Sequence, residues 1–299
     1  MNTVVITGAN SGLGYECAKN ILMSGGEYHI VMACRDSEKA RVAQTALVNE
    51  TGADSKNIHV MELDLSSLQS VRDFSKEFMA RSLPPLYAVV CNAGIAGTRS
   101  GKTVDGYELV FGTNHLGHFL LTNLLLPSFT EKGRIAVVSS DMHNPPGGIS
   151  YPGANVLADP EADIGNRYPL SKLCNLYFTY ALSRKLADLK KPITVNALNP
   201  GLMPETNLSA GYKGRFTKEY LESVKDMMGS LSESSKALAA MVTEPYFGTV
   251  TAKYNDRGRV VPSSELSYNI ENQNDLWETS VRLTGLKSRE TFPELVNGK

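Results

Sequence analysis

The 299-residue chain is 42% hydrophobic and 20% charged, proportions of a soluble globular protein that exclude a disordered or membrane-embedded one. Its 30 basic and 31 acidic residues nearly cancel, so no net field favours nucleic acid or an anionic membrane surface. The most apolar stretch, Phe119 to Leu126, contains Thr122 and Asn123 and is too short for a transmembrane segment. Cys17, Cys34, Cys91 and Cys174 form no C-x-x-C pair, so neither a zinc site nor a disulfide framework is expected. A first strand beginning at Thr3 leaves no room for a signal peptide, and the expectation is a reduced cytoplasmic protein.

In chain order, Thr3–Thr7, Tyr28–Ala33, Ile58–Leu63, Leu86–Cys91, Arg134–Ser139 and Ile193–Leu198 read as strands. They are apolar nearly throughout, as strands covered on both faces must be. Between them lie amphipathic stretches such as Asp36–Asn49 and Leu68–Arg81, long enough for crossover helices. Strand–helix alternation of this kind implies right-handed βαβ units. The expected fold is therefore α/β, a single-domain Rossmann-type doubly wound parallel sheet of about seven strands with helices on both faces, spanning 1–299. Two stretches break the rhythm, 141–166 (rich in Pro, Gly, Asn and Asp) and 202–230. Both follow strand C-termini, where open α/β sheets bind ligands, and they read as the walls of a substrate pocket. A C-terminal tail follows them.

After the first strand comes Thr7-Gly8-Ala9-Asn10-Ser11-Gly12-Leu13-Gly14, then a helix. Glycines here let the backbone approach a pyrophosphate, and the helix N-terminus supplies amide donors. The end of the second strand distinguishes the two nicotinamide cofactors. An NAD site puts an acidic residue there for the ribose 2′-hydroxyl, about 20 residues past the Gly motif. This chain has Ala33-Cys34-Arg35 instead. An arginine fork suits a 2′-phosphate, which indicates NADP(H), although Arg35 could also be a solvated cation partly neutralised by Asp36. Asp64, followed by Leu65, is placed to reach adenine or to cap the helix start at Ser66–Ser67.

Tyr168 and Lys172, four residues apart, share one helix face. A tyrosine of ordinary pKa near 10 is a poor acid–base group at neutral pH unless a cation stabilises its phenolate, and Lys172 supplies one. Ser140 can hydrogen-bond a substrate oxygen, and Asn114 can order a proton-relay water. Y-x-x-x-K alone occurs by chance in many helices. The order is what carries information: Gly turn, Asn92-Ala93-Gly94, Asn114, Ser140, Tyr168, Lys172, Pro200-Gly201.

That ordered set resembles the short-chain dehydrogenase/reductase family across nearly the whole chain. The resemblance implies Asn114, Ser140, Tyr168 and Lys172 as a catalytic tetrad. It further implies Asn92, Ala93 and Gly94 along the cofactor, and Thr206 near the nicotinamide carboxamide, beyond Pro200 and Gly201. Met32-Ala33-Cys34-Arg35-Asp36, Thr113-Asn114-His115-Leu116-Gly117-His118-Phe119 and Ser171-Lys172-Leu173-Cys174-Asn175 look like the branch of light-dependent protochlorophyllide reductases and retinol-dehydrogenase-like reductases. The tail from Glu271 to Leu286 is similar to the protochlorophyllide enzymes. Three features depart from them. Ser140 and Tyr168 stand only 28 residues apart, without the longer insertion of the light-dependent enzymes; Gly94 replaces a frequent alanine; and Pro169 follows Tyr168, which places the helix start close by.

His115 and His118 have metal-compatible spacing, but no third ligand is evident and the apolar surroundings favour packing; no metal is expected. Cys174, Tyr151, Met203, Tyr212 and Phe216 are candidates for the substrate pocket. The implied reaction is NADP(H)-dependent hydride transfer between nicotinamide and the carbonyl or alcohol of an apolar, fairly bulky small molecule. Light-driven C=C reduction of protochlorophyllide is the rival reaction, and a non-catalytic NADP-binding regulator the rival class. A regulator need not keep Tyr168 and Lys172 together. A homo-oligomer is compatible with all of these readings.

Overall fold

The computed structural model describes residues 1–96, 101–208 and 216–297, apart from the side chains of 130 and 131. The alternation begins with β1 (Asn2–Thr7), α1 (Gly12–Leu22), β2 (Tyr28–Cys34), α2 (Ser37–Thr51), β3 (Ile58–Glu62), α3 (Leu68–Ala80) and β4 (Leu86–Cys91). A short helix α4 (Leu109–Phe111) then widens into a π-helical stretch, Gly112–Leu116, before α5 (Gly117–Leu125). There follow β5 (Phe129–Val138), α6 (Ala154–Ala158), α7 (Arg167–Asp188), β6 (Ile193–Asn199), α8 (Lys218–Ser223) and α9 (Leu231–Thr243). The chain closes with β7 (Tyr254–Asp256), β8 (Arg259–Val261), α10 (Ile270–Thr284) and α11 (Glu294–Asn297).

The strands form one sheet in the order β3-β2-β1-β4-β5-β6-β7-β8, parallel except for the antiparallel β8 at the edge. This is the doubly wound arrangement, with eight strands rather than about seven. Alternation along each strand sorts the core into two layers. Val4, Ile6, Ile30 and Met32 pack against α1, α2 and α9, with Cys17, Ile21, Leu47 and Leu238 among the filling. Val5, Val31, Val89 and Val137 face the opposite way, toward Phe74 of α3, Phe119 of α5 and Phe178 of α7. Helix α10 covers the outer side of α7: Trp277 stacks on Phe178 at 6.2 Å, meets Phe119 edge-on at 5.0 Å, and donates its indole N–H to the Leu295 carbonyl. Among the described residues, no helix is long and apolar enough to cross a membrane.

Two local features set the site. Strand order reverses between β1 and β4, so their C-terminal ends diverge and open a crevice. Helix α7 starts at Arg167, with the Asn166 side chain accepting the Tyr168 amide at 3.1 Å. Pro169 therefore sits in the first turn, where its missing N–H removes no helical bond, as the expected helix start requires.

Candidate active site

The crevice above the switch point is a cleft of about 1130 Å³. Its floor is the Gly turn. Gly8 and Gly12 adopt φ of +66° and +54°, a region other residues rarely enter. Gly14 leaves no room for a side chain: a Cβ there would stand 2.5 Å from both Asn92 Nδ2 and the Gly8 carbonyl. The turn is tied to β4 through Thr7, whose Oγ1 accepts the Asn92 and Ala93 amides, each at 2.9 Å. Asn92 Nδ2 in return donates to the Thr7 carbonyl at 2.8 Å. Backbone thus comes close to where a pyrophosphate would lie, at the N-terminus of α1, and the loop fits the expected dinucleotide.

Gly8, Asn10, Ser11, Gly12, Leu13, Arg35, Asp64, Leu65, Asn92, Ala93 and Gly94 all line the cleft, as do Pro200, Gly201 and Thr206. Arg35 is exposed at the end of β2. The Asp36 carboxylate caps α2, accepting the Lys39 amide at 3.0 Å and pairing with the Lys39 ammonium at 2.9 Å. Lys39 also lines the cleft, a second cation at this end that the sequence reading missed. Cys34 is buried under the Gly turn, where the Ala9 and Asn10 amides donate to its sulfur, and burial pushes its thiol up to about 11. Asp64 lines the cleft, and its Oδ1 accepts the Ser66 amide and hydroxyl at 2.9 and 2.7 Å, the capping expected of it.

At the other end of the cleft stand Ser140, Tyr168 and Lys172. Lys172 is 2% exposed, with its ammonium 3.1 Å from the Val138 carbonyl and 5.5 Å from the Tyr168 ring centre. Burial lowers its pKa from 10.5 to about 8. Asn114 lies one layer behind, fully buried in the π-helical stretch. Its Oδ1 accepts the Ile95 amide at 2.8 Å, and its Nδ2 donates to the Ile95 carbonyl at 2.9 Å and Ser171 Oγ at 3.0 Å. The extra residue per turn of a π-stretch swings Asn114 out of helical register toward the β4 loop.

Of the candidate pocket residues, Met203 and Phe216 line the cleft. Tyr212 lies outside the described residues. Tyr151 and Cys174 are not brought to the cleft. Tyr151 donates to Asp275 of α10 at 2.8 Å and packs edge-on against Tyr177. Cys174 follows Lys172 by two positions, which turns it to the far side of α7, among Leu157, Tyr177 and Leu276. Met142, Leu202, Leu208, Tyr220, Val224 and Met227 complete an apolar wall, and Asp141 stands beside Ser140. The place of Asp141 directly after Ser140 was the one sequence signal that could have marked it. His115 and His118 are packed neutral, their pKa lowered by burial to about 3 and about 4. His115 pairs with Ser280, and His118 bridges Thr7 Oγ1 and the Asn114 carbonyl. No cluster able to hold a metal occurs among the described residues.

The short chain dehydrogenase family model matches residues 2–154. The chain is 33% identical to chloroplastic protochlorophyllide reductase of Daucus carota, over 95% of this chain and 78% of that protein. It is 41% identical to retinol dehydrogenase 14 of Mus musculus, over 69% of this chain and 62% of that one. A solved structure of an uncharacterized protein from Mycobacterium Paratuberculosis matches with a TM-score of 0.74 at 30% identity, covering 95% of this chain and 94% of the other. The first two fall in the branch that the Asn114 and Lys172 segments resemble. With an α/β sheet of the right order beneath an ordered set of matching motifs, the chain belongs to the short-chain dehydrogenase family and is an oxidoreductase of that family.

Proposed function

We propose that this oxidoreductase transfers hydride between NADP(H) and the carbonyl or alcohol of an apolar, fairly bulky substrate. The observation that carries the reading is the convergence of Ser140, Tyr168 and a buried Lys172 at one end of a cleft whose other end carries Arg35. Arg35, backed by Lys39, would hold a 2′-phosphate, and the turn from Gly8 to Gly14 the pyrophosphate. Bound NADPH supplies the hydride. The Ser140 hydroxyl donates to the substrate oxygen, and the Tyr168 phenol delivers the proton to that oxygen as negative charge develops there. Lys172 lowers the cost of the resulting phenolate by its positive charge. Asn114 stabilises the arrangement from behind, fastening the β4 loop to α7 through Ile95 and Ser171. The wall of Met142, Met203, Leu208, Phe216, Tyr220, Val224 and Met227 matches an apolar body. One folded unit spanning the chain suffices for this chemistry. The four buried thiols suit a reducing compartment, the cytoplasm.

The second reading, light-dependent reduction of protochlorophyllide, is favoured by the relationship to the Daucus carota enzyme. Against it stands the short connection from Ser140 to Tyr168, much of which folds onto α10 through Tyr151 and Asp275 rather than over the cleft. NADPH oxidation followed in darkness and under illumination, over apolar ketones, aldehydes and protochlorophyllide, separates the two. Dark turnover of at least one carbonyl compound is expected. Light-dependent chlorophyllide formation with no dark carbonyl turnover would reverse the order.

A further inference from the structure

We infer that Asp141 makes the enzyme select substrates with a hydrogen-bond donor on the carbon next to the reacting one: an α-hydroxy carbonyl, or a vicinal diol in the reverse direction. The inference rests on the reading of Ser140 as the donor to the substrate oxygen. Ser140 caps a short turn, Asp141–His143; its Oγ accepts the Met142 amide at 3.1 Å and donates to Asp141 Oδ1 at 3.0 Å. A hydroxyl has one hydrogen, and here it is committed to the carboxylate. To donate to a substrate oxygen, Ser140 must turn that hydrogen away from Asp141.

Besides Ser140, the carboxylate is left with the Met142 amide, a donor it shares with Ser140 Oγ. Asp141 has no ion pair among the described residues. Arg257, the cation acting on it through space, commits Nε and Nη2 to Asp256 at 2.9 and 3.0 Å and Nη1 to the Asp226 and Met228 carbonyls. Burial pushes the Asp141 carboxyl upward, and the Ser140 hydroxyl is the largest influence opposing that rise. The cleft wall nearby is apolar, with Met142, Met203, Phe216 and Met227. A donor carried by the substrate would replace the lost hydrogen. The spacing fits, because Ser140 Oγ and Asp141 Oδ1 lie as close as two hydrogen-bonded oxygens, and gauche oxygens on adjacent carbons lie similarly close. One substrate oxygen would face Ser140 and the other Asp141. A ketone without the second oxygen leaves a half-buried carboxylate short of the hydrogen bond that Ser140 gave it, a loss equivalent to about 10- to 100-fold in kcat/KM.

The test compares 2-decanone with 1-hydroxy-2-decanone as substrates for NADPH oxidation. It also compares 2-decanol with decane-1,2-diol as ligands of the NADP⁺-loaded protein, by calorimetry. The natural enzyme should favour the hydroxy ketone and the diol by about 10- to 100-fold. Asp141→Leu should erase both preferences, chiefly by improving the simple ketone, since no carboxylate is left to satisfy. Asp141→Asn, closest in size, should reduce them and serves if the leucine variant melts too low to assay. Equal treatment of each pair by the natural enzyme, or preferences that persist in Asp141→Leu, would overturn the inference. If neither ketone turns over, the carbonyl reading itself fails, and the binding pair still decides this inference; failure of both alcohols to bind counts against it.

Discussion

Arg35 and Lys172 sit at opposite ends of the cleft, and each makes a measurable demand on the protein. If Arg35 contacts a 2′-phosphate, NADPH should bind roughly 10- to 150-fold more tightly than NADH, the range of a charge-assisted hydrogen bond. Arg35→Asp should abolish that difference in a titration of cofactor fluorescence; equal affinities in the natural protein would contradict the assignment. Lys172 is a buried cation whose pKa falls from 10.5 to about 8. The unfolded chain therefore keeps its proton between about pH 8 and 10.5 while the folded chain gives it up, and stability from this group must rise with pH across that window. Below it, burial of the charge costs about 3 kcal/mol. Lys172→Met removes the titration. The unfolding free energy of the natural protein, relative to Lys172→Met, should improve between pH 8 and 10 in denaturant melts. A difference independent of pH would show that Lys172 is not desolvated as described.

At the scale of elements, the Gly turn is a packed joint as much as a ligand cradle. Gly14→Ala would push a methyl group against Asn92 Nδ2 and the Gly8 carbonyl, both at 2.5 Å. The expected result is a destabilisation of about 1–3 kcal/mol with NADPH affinity reduced at least as much; unchanged affinity would mean that the turn is not the cradle. The six long strands were legible because continuous apolar runs bounded by turns leave few alternatives. Strands β7 and β8 were not: with three residues each, Tyr254–Asp256 and Arg259–Val261 are too short for any period, and they form by adding to an existing edge. The π-helical stretch was equally hidden, since five residues, Gly112–Leu116, are too few to show a period of their own. Side-chain direction explains the pocket errors. Cys174 entered through the resemblance, and Tyr151 through its loop, whereas helical phase and the Asp275 partner turn both away. The four residues that the resemblance implies as a tetrad, by contrast, stood out by their order along the chain, and the fold gathers Ser140, Tyr168 and Lys172 around one opening with Asn114 directly behind.

The whole molecule is a sheet whose switch point opens a cleft, with cations at its β2 end and Ser140, Tyr168 and Lys172 at its β5 end. The central claim is that Tyr168 supplies the proton for a hydride transfer that needs no light. Its most direct measurement is Tyr168→Phe, with NADPH affinity and dark turnover of a carbonyl substrate determined on the same preparation. The account expects affinity within about 2-fold of the natural protein and kcat lower by on the order of 10²- to 10⁴-fold, because only the proton donor is lost. A variant that keeps most of its kcat would contradict it.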